Sequence, residues 1–154
     1  VSGTERGIVE PQAVFSSCYG EPFLPLHPLI YGELLKKKIL KHNTNVYLVN
    51  TGWYKGGYGV GERMNLSLTR KCIDSILNND VEKCNFDILP IFNLKIPKEI
   101  DGIDNSVLNP INTWACRKKY FKEAEKLASM FIENFERFGD NKELVNLSKF
   151  GPIL

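Results

Sequence analysis

A glycine-rich loop between residues 50 and 70 holds the side chains that are best suited to chemistry. Its glycines, which let the main chain approach a ligand closely, are Gly52, Gly56, Gly57, Gly59 and Gly61. The spacing of Gly56 and Gly61 matches a phosphate loop, but Glu62 and Arg63 stand where that motif needs Lys and Ser or Thr. A carboxylate repels phosphates, so the frame is weak evidence for a phosphate site. Arg63 is better suited than the glycine frame to bind a ligand, because a planar guanidinium can stack on an aromatic base.

The remaining reactive side chains form no cluster that would bind a metal or act as an acid, base or nucleophile. The cysteines, which include no C-x-x-C pair, are Cys18, Cys72, Cys84 and Cys116. The chain is neither short nor rich in cysteine, which favours reduced thiols over disulfides, and Cys72 is predicted to lie in the core. His27 could act as a base, but its place before a proline at a helix start favours a helix cap or a packed ring. We therefore predict no catalytic residue and no metal site here.

Length and charge favour a single soluble domain. The chain has 154 residues, of which 43% are hydrophobic, which is enough for one domain with its own core. A net charge of +2 gives no reason to expect a nucleic-acid or membrane partner. No apolar run is long enough to span a bilayer. We expect a cytoplasmic protein and, because the first residue is Val and not Met, a processed or excised piece of a longer chain.

Hydrophobic periodicity predicts four helices. They cover residues 28–41, residues 67–78 with Ser67 as the N-cap, residues 117–138 with Gly139 as the stop, and residues 142–150. The second has an apolar face of Leu66, Thr69, Ile73, Ile76 and Leu77. The third has an apolar stripe, interpreted as core, of Tyr120, Ala124, Leu127, Phe131, Phe135 and Phe138.

Short strands are predicted between these helices. Residues 46–49 have the β-branched and aromatic pattern of a strand buried on both faces, which would lead directly into the glycine loop. Residues 13–19 predict a short buried strand, and residues 86–94, interrupted by Pro90, predict an edge strand or two short strands. The fold class is therefore α/β, or mixed α+β, with short strands and about four helices. In such folds ligands gather at the carboxyl ends of strands.

Several motifs, taken in order, resemble one enzyme family. They are GTERG at residues 3–7, PQA at 11–13, FSSCYG at 15–20, LHP at 26–28, NTGW at 50–53, GVGERM at 59–64, TR at 69–70, IFNL at 91–94, NTW at 112–114 and GP at 151–152. Together they resemble the C-terminal part of ATP-dependent phosphoenolpyruvate carboxykinase. The resemblance extends over essentially all 154 residues.

The resemblance implies a larger gluconeogenic enzyme that converts oxaloacetate and ATP to phosphoenolpyruvate, carbon dioxide and ADP with a divalent metal, Mg or Mn. In that family the phosphate loop, the metal-binding Lys, His and Asp and the substrate-binding Arg precede the segment that begins here at Val1. The resemblance therefore implies that this chain is inactive alone, that its partner is the upstream part of the same polypeptide, and that its place is in the nucleotide-binding domain.

The resemblance also assigns residues to the adenine end of the ATP site. It implies that Arg63 packs against the base, that Met64 and Leu66 line it, and that Thr69 hydrogen-bonds to it. Residues 1–11, which by composition alone predict a frayed terminal loop, would form an active-site lid with Thr4 near the nucleotide.

Two residues depart from the family pattern. Glu62 replaces a common Lys and is expected to face the base. Cys116 occupies a helix-cap position that many relatives fill with Asp or Ser, and a thiol caps poorly.

One alternative remains from the residues themselves. The chain could be a stand-alone, non-catalytic α/β module that binds a nucleotide or a protein through residues 56–63. If the chain is instead a segment of the larger enzyme, we expect an exposed apolar face where the rest of the polypeptide would pack.

Overall fold

The structure is a computed structural model that describes Gly7, Glu10, residues 13–138, Leu147 and residues 149–154. It divides into two compact units, residues 1–48 and residues 49–154. The predicted helix at 142–150 lies mostly outside the described residues, as do Thr4 and most of the predicted lid. The assignment of all 154 residues to one domain stays a prediction.

The first unit contains helix α1, Pro28–His42, which confirms the helix predicted at 28–41. Pro28 occupies the first turn, and the Nδ1 atom of His27 accepts a hydrogen bond from the main-chain N–H of Leu29 at 3.4 Å. His27 therefore caps the helix, as its position predicted. Asn43 ends α1 in the left-handed conformation, with φ of +48°. No side chain of α1 is buried.

The buried strand predicted at residues 13–19 is wrong. Two short 3₁₀ helices, Ser17–Tyr19 and Glu21–Phe23, follow residues 13–16, which form no regular secondary structure and whose Val14 is exposed. The main-chain N–H and the hydroxyl of Ser17 both donate to Glu21 Oε2, at 3.1 Å and 3.3 Å. Such local side-chain hydrogen bonds compete with strand pairing and favour a turn. Cys18, with φ of +52°, is also outside the strand region.

The second unit contains two antiparallel hairpins. In the first, β1 (Trp53–Tyr54) pairs with β2 (Glu62–Arg63), and in the second, β3 (Phe86–Leu89) pairs with β4 (Leu94–Pro97). Of the two alternatives predicted for residues 86–94, an edge strand or two short strands, the structure has two short strands, but the second begins only at Leu94 and extends to Pro97. The turn between them is closed by a hydrogen bond from the Asn93 N–H to the Leu89 carbonyl at 3.0 Å.

The buried strand predicted at residues 46–49 is also wrong. No strand lies between residues 43 and 52, and Val46 and Leu48 are 63% and 68% exposed. A strand needs a neighbouring strand for its main-chain N–H and C=O groups, and no strand in the described part of the chain pairs with this segment. The glycine loop consequently lies inside a hairpin and does not follow a long buried strand.

The described part of the second unit also contains α2 (Leu66–Leu77), α4 (Arg117–Glu136) and the short helix α3 (Pro110–Thr113), which the sequence did not predict. Short antiparallel strands with four α-helices in the described residues confirm the mixed class. Cys116 precedes α4 without a side-chain cap bond, as expected of a thiol. Gly139 lies outside the described residues. None of the described helices combines the length and apolar character needed to cross a membrane.

The core of the second unit is small. Among the described residues, its buried apolar members are Val81, Leu89, Ile100, Ile103, Tyr120, Ala124 and Ala128. On α4 the buried line runs through residues 120, 124 and 128, whereas Leu127 and Phe131 are exposed, so the predicted core stripe is only partly right. Residues four apart lie on one face of a helix, and two alanines allow close packing there.

Candidate functional site

The β1–β2 hairpin presents different chemistry on its two faces. Trp53 is the register partner of Arg63, and Tyr54 is the partner of Glu62. Directly opposed residues share a face and successive residues alternate, so Arg63 lies with Trp53 on one face while Glu62 lies with Tyr54 on the other. Tyr58 packs edge-on against Trp53, with ring centroids 5.6 Å apart. Exposed Arg63 therefore belongs to an aromatic face that is open to solvent.

The loop between the strands is closed by its own main chain. The N–H groups of Val60 and Gly61 both donate to the Gly57 carbonyl, at 3.2 Å and 2.7 Å. A phosphate loop would direct such amides at its ligand. Because these two are satisfied within the loop, the geometry agrees with the sequence in giving no support to a phosphate site.

Glu62 does not share a face with Arg63, which corrects the expectation that both residues face a base. Its Oε2 accepts hydrogen bonds from Lys55 Nζ at 3.0 Å and from the Tyr54 hydroxyl at 3.1 Å. These bonds, that from Lys55 first, lower the pKa of the Glu62 carboxyl, and the same bond raises the pKa of the Lys55 ammonium. Both side chains therefore stay charged at any pH between the ordinary carboxyl pKa of 4.5 and the ordinary lysine pKa of 10.5.

Helix α2 begins directly after the hairpin, and Asn65, not Ser67, is its N-cap. Asn65 has an extended backbone, with φ of −76° and ψ of +154°, and its Oδ1 accepts a hydrogen bond from the Leu68 N–H at 2.7 Å. Ser67 already lies within the helix. Both residue types cap helices well, so the sequence alone could not distinguish them.

Replacement of Asn65 by alanine should loosen the start of α2. Loss of an N-cap costs about 1 kcal/mol, which corresponds to about fivefold faster opening of the first turn. Hydrogen–deuterium exchange of the full-length protein would measure this in peptides that cover residues 66–77. Ser67→Ala is the matched control and should leave exchange nearly unchanged; an equal effect of both substitutions would contradict the assigned cap.

The four described residues predicted to contact adenine follow one another from the end of β2 into the first turn of α2. The Met64 N–H donates to the Gly52 carbonyl at 2.7 Å, which extends the hairpin, and the side chain of Met64 is half-buried. Leu66 is 62% exposed. The Thr69 hydroxyl donates to the Asn65 carbonyl at 3.2 Å. With Arg63 also exposed, the structure brings these four residues into one continuous segment, whereas Thr4 lies outside the described residues.

The predicted apolar face of α2 is only partly covered. Thr69 and Ile76 are half-buried, whereas Leu66, Ile73 and Leu77 are exposed. The better covered side runs instead through Leu68, Cys72 and Ser75. Cys72 is half-buried, and burial raises the pKa of its thiol. The periodicity therefore predicted more burial than this chain provides for α2.

The cysteines and a surface cleft are further features of the described structure that bear on a site. Groups of three or more His, Cys, Asp or Glu side chains that could hold a metal do not occur among the described residues, and all four cysteines are free. A cleft of about 290 Å³ lies between the β3–β4 hairpin and residues 105–112, and its lining includes the Asp87–Lys98 ion pair. None of the four described residues predicted to contact adenine lines it.

Comparison with known proteins places the chain in a family. The family model described as phosphoenolpyruvate carboxykinase matches residues 1–106. The chain belongs to the phosphoenolpyruvate carboxykinase family. Relatives named phosphoenolpyruvate carboxykinase (ATP) from Campylobacter jejuni, Caldanaerobacter subterraneus and Leptospira biflexa are 56%, 50% and 46% identical to it. Each alignment covers 99% of this chain and 29% of the relative.

The chain therefore spans less than a third of the length of these carboxykinases. The match confirms the resemblance on which the adenine assignments rest. Sequence analysis missed two residues of the hairpin, Lys55 and Tyr54, which bind Glu62. The sequence contained a signal for this ion pair. Lys55 lies seven positions before Glu62, on the other side of a glycine loop, and opposite charges placed in this way can pair across a hairpin.

Proposed function

We propose that this chain is the C-terminal segment of an ATP-dependent phosphoenolpyruvate carboxykinase and supplies the adenine side of its ATP site. The enzyme would convert oxaloacetate and ATP to phosphoenolpyruvate, carbon dioxide and ADP. The observation that carries the proposal is the 56% identity over 99% of this chain to a protein named for that activity. Similarity at this level over every described element supports a shared role for the segment.

In the proposed site Arg63 stacks on the adenine ring. Its exposed guanidinium lies on the same face of the hairpin as Trp53, while the carboxylate of Glu62 is held on the opposite face by Lys55. This separation supports the proposal in two ways. The guanidinium is not ion-paired with the adjacent carboxylate of Glu62, and its flat surface is accessible to a base.

The hydroxyl of Thr69 is suited to recognise the amino group of adenine. Because its proton is directed to the Asn65 carbonyl, the oxygen presents lone pairs to a ligand and acts as an acceptor. Adenine carries a donor at its exocyclic amino group, whereas hypoxanthine carries an acceptor at the same place. We propose that Thr69 favours ATP over ITP for this reason.

Substitution of Thr69 by valine should weaken the preference for ATP over ITP in the full-length enzyme. Loss of one hydrogen bond to a ligand corresponds to about a fivefold rise in KM for ATP, with a smaller change for ITP. Steady-state kinetics with both nucleotides would measure the ratio of kcat/KM. Thr69→Ser is the matched control and should retain the preference. A Thr69→Val enzyme with the original ratio would contradict the proposed contact.

The remaining machinery is proposed to lie on the preceding part of the polypeptide. A divalent metal, Mg or Mn, would neutralise charge on the transferring phosphoryl group there, with ligands outside this segment. Residues 1–11 would form the lid, with Thr4 near the nucleotide. Exposed Val46 and Leu48, whose pattern is that of a buried strand, support packing against the preceding polypeptide. Alone, the segment is proposed to be inactive.

Calorimetric titration with ATP would test the division of labour. We expect little or no binding to the isolated segment, and binding together with carboxykinase activity once the preceding part of the chain is supplied. Tight binding of ATP by the segment alone would instead support a stand-alone nucleotide-binding module. A full-length protein that does not form phosphoenolpyruvate from oxaloacetate and ATP would refute the proposed activity.

A further inference from the structure

The β1–β2 hairpin is too small to fix its own geometry. Each strand has two residues, and an isolated two-stranded hairpin is marginally stable even when it is longer. Of residues 53–63, only Gly56 is buried, so packing of side chains contributes little. Contacts with the rest of the unit must therefore help to hold Arg63 in position.

One such contact comes from Thr113, the last residue of α3. The main-chain N–H of Lys55 donates to Thr113 Oγ1 at 3.3 Å, although the two residues are 58 positions apart. The Thr113 hydroxyl in turn donates to the Pro110 carbonyl at 2.8 Å. Its proton is thus directed into α3 and its lone pairs are free to accept from the hairpin.

Thr113 is itself tied to the core of the unit. The next residue, Trp114, packs edge-on against Tyr120, with ring centroids 5.8 Å apart. Tyr120 is one of the buried residues of α4. The hydroxyl of Thr113 therefore connects the hairpin to the best packed helix of the unit through a single intervening residue.

Lys55 is held at both its main chain and its side chain. Its φ of +64° is left-handed, which is unfavourable for a residue with a Cβ and persists where surrounding contacts enforce it. Thr113 holds its N–H, and Glu62 holds its ammonium across the hairpin at 3.0 Å. Lys55 directly follows Tyr54, the last residue of β1, and its ammonium binds Glu62, the first residue of β2. Holding Lys55 in place therefore holds the loop-side ends of both strands.

We propose that Thr113 and Lys55 are positioning residues that set the β1–β2 hairpin so that Arg63 meets the adenine ring. The inference rests on the proposed function, since it concerns how the proposed ATP site is held. It gives a role to the Asn-Thr-Trp motif at residues 112–114, which contacts no proposed ligand. Neither residue is required to touch the nucleotide.

The Thr113 contact is tested in the full-length enzyme by Thr113→Val, which removes the hydroxyl at nearly constant volume. We expect KM for ATP to rise about fivefold, the factor of one ordinary hydrogen bond, while kcat and KM for oxaloacetate stay unchanged. Thr113→Ser should restore the original KM. Thr44→Val, at an exposed position outside the second unit, is the control.

The Lys55 contact is tested by charge exchange. Lys55→Glu places two carboxylates together and should raise KM for ATP about threefold, within the range of an exposed ion pair. The double variant Lys55→Glu with Glu62→Lys should recover most of that loss, since the pair is restored with reversed charges. Both charges persist between pH 6 and 9, so the recovery should not change with pH across that range.

The outcomes separate this inference from the proposed function. An unchanged KM for ATP in Thr113→Val, or no recovery in the double variant, overturns the positioning role even if Arg63→Ala still weakens ATP binding. Equal losses for both substrates and for kcat in Thr113→Val also overturn it, because they indicate general damage to the fold. If Arg63→Ala itself has no effect on KM for ATP, the proposed adenine site is refuted, and the positioning role that rests on it is refuted with it.

Discussion

Replacing Gly61 by alanine is expected to raise KM for ATP in the full-length enzyme by tenfold or more. A Cβ at this position would lie 2.6 Å from the Tyr54 carbonyl oxygen and closer still to the Gly56 carbonyl oxygen. Both neighbours are main-chain atoms that cannot rotate away, so the loop would have to open and the pairing of β1 with β2 would be lost. A forced main-chain rearrangement costs about 2 kcal/mol or more. Steady-state kinetics with ATP and with oxaloacetate would measure the change.

Gly57→Ala is the matched control for this prediction. A Cβ at Gly57 would meet no atom within 4 Å, and its backbone is not in the left-handed region. We therefore expect the Gly57→Ala enzyme to keep nearly the original KM for ATP. If the Gly61→Ala enzyme behaves in the same way, the tight closure of this loop has no part in nucleotide binding.

Replacing Arg63 by alanine is expected to raise KM for ATP about tenfold. Stacking of a base on a flat side chain contributes about 1–3 kcal/mol, and alanine offers no comparable surface. KM for oxaloacetate should change little, because the contact is proposed to be with the base. Kinetics with each substrate varied in turn would show whether the effect is confined to ATP.

Two further variants separate stacking from charge. Arg63→Lys keeps the positive charge but loses the planar group, so we expect a KM for ATP close to that of Arg63→Ala. Lys118→Ala removes an exposed cation from α4 and should have no effect. An Arg63→Ala enzyme with unaltered dependence on ATP would exclude the proposed stacking. Full activity in Arg63→Lys would show that charge, and not the flat surface, matters.

The helices were the most predictable part of the fold. A repeat of apolar residues every three to four positions, with a proline at the start, gave α1 almost to the residue, and the long pattern after Cys116 gave α4. Local chemistry sufficed because a helix satisfies its main-chain hydrogen bonds within itself. The caps were less certain, since Asn65 and Ser67 are both good capping residues two positions apart.

The strands were less predictable because a strand depends on a partner. Residues 46–49 have the composition of a buried strand, yet they form no strand in the described structure, and Val46 and Leu48 are exposed. On α2, Leu66, Ile73 and Leu77 likewise belong to a predicted buried face but are exposed. The described part of this chain does not bury the apolar residues of these patterns. The relatives are more than three times as long, and we propose that their additional polypeptide is what buries such residues.

The sequence by itself determined α1, α2 and α4, the unsuitability of the glycine frame for phosphate and the family resemblance, because these depend on residue types and on short-range spacing. Only the tertiary structure decided that Arg63 and Glu62 lie on opposite faces, that Lys55 forms an ion pair with the Glu62 carboxylate and that Thr113 binds the loop. Those features depend on which strand pairs with which and in what register. Registers of two-residue strands leave no periodic trace in a sequence.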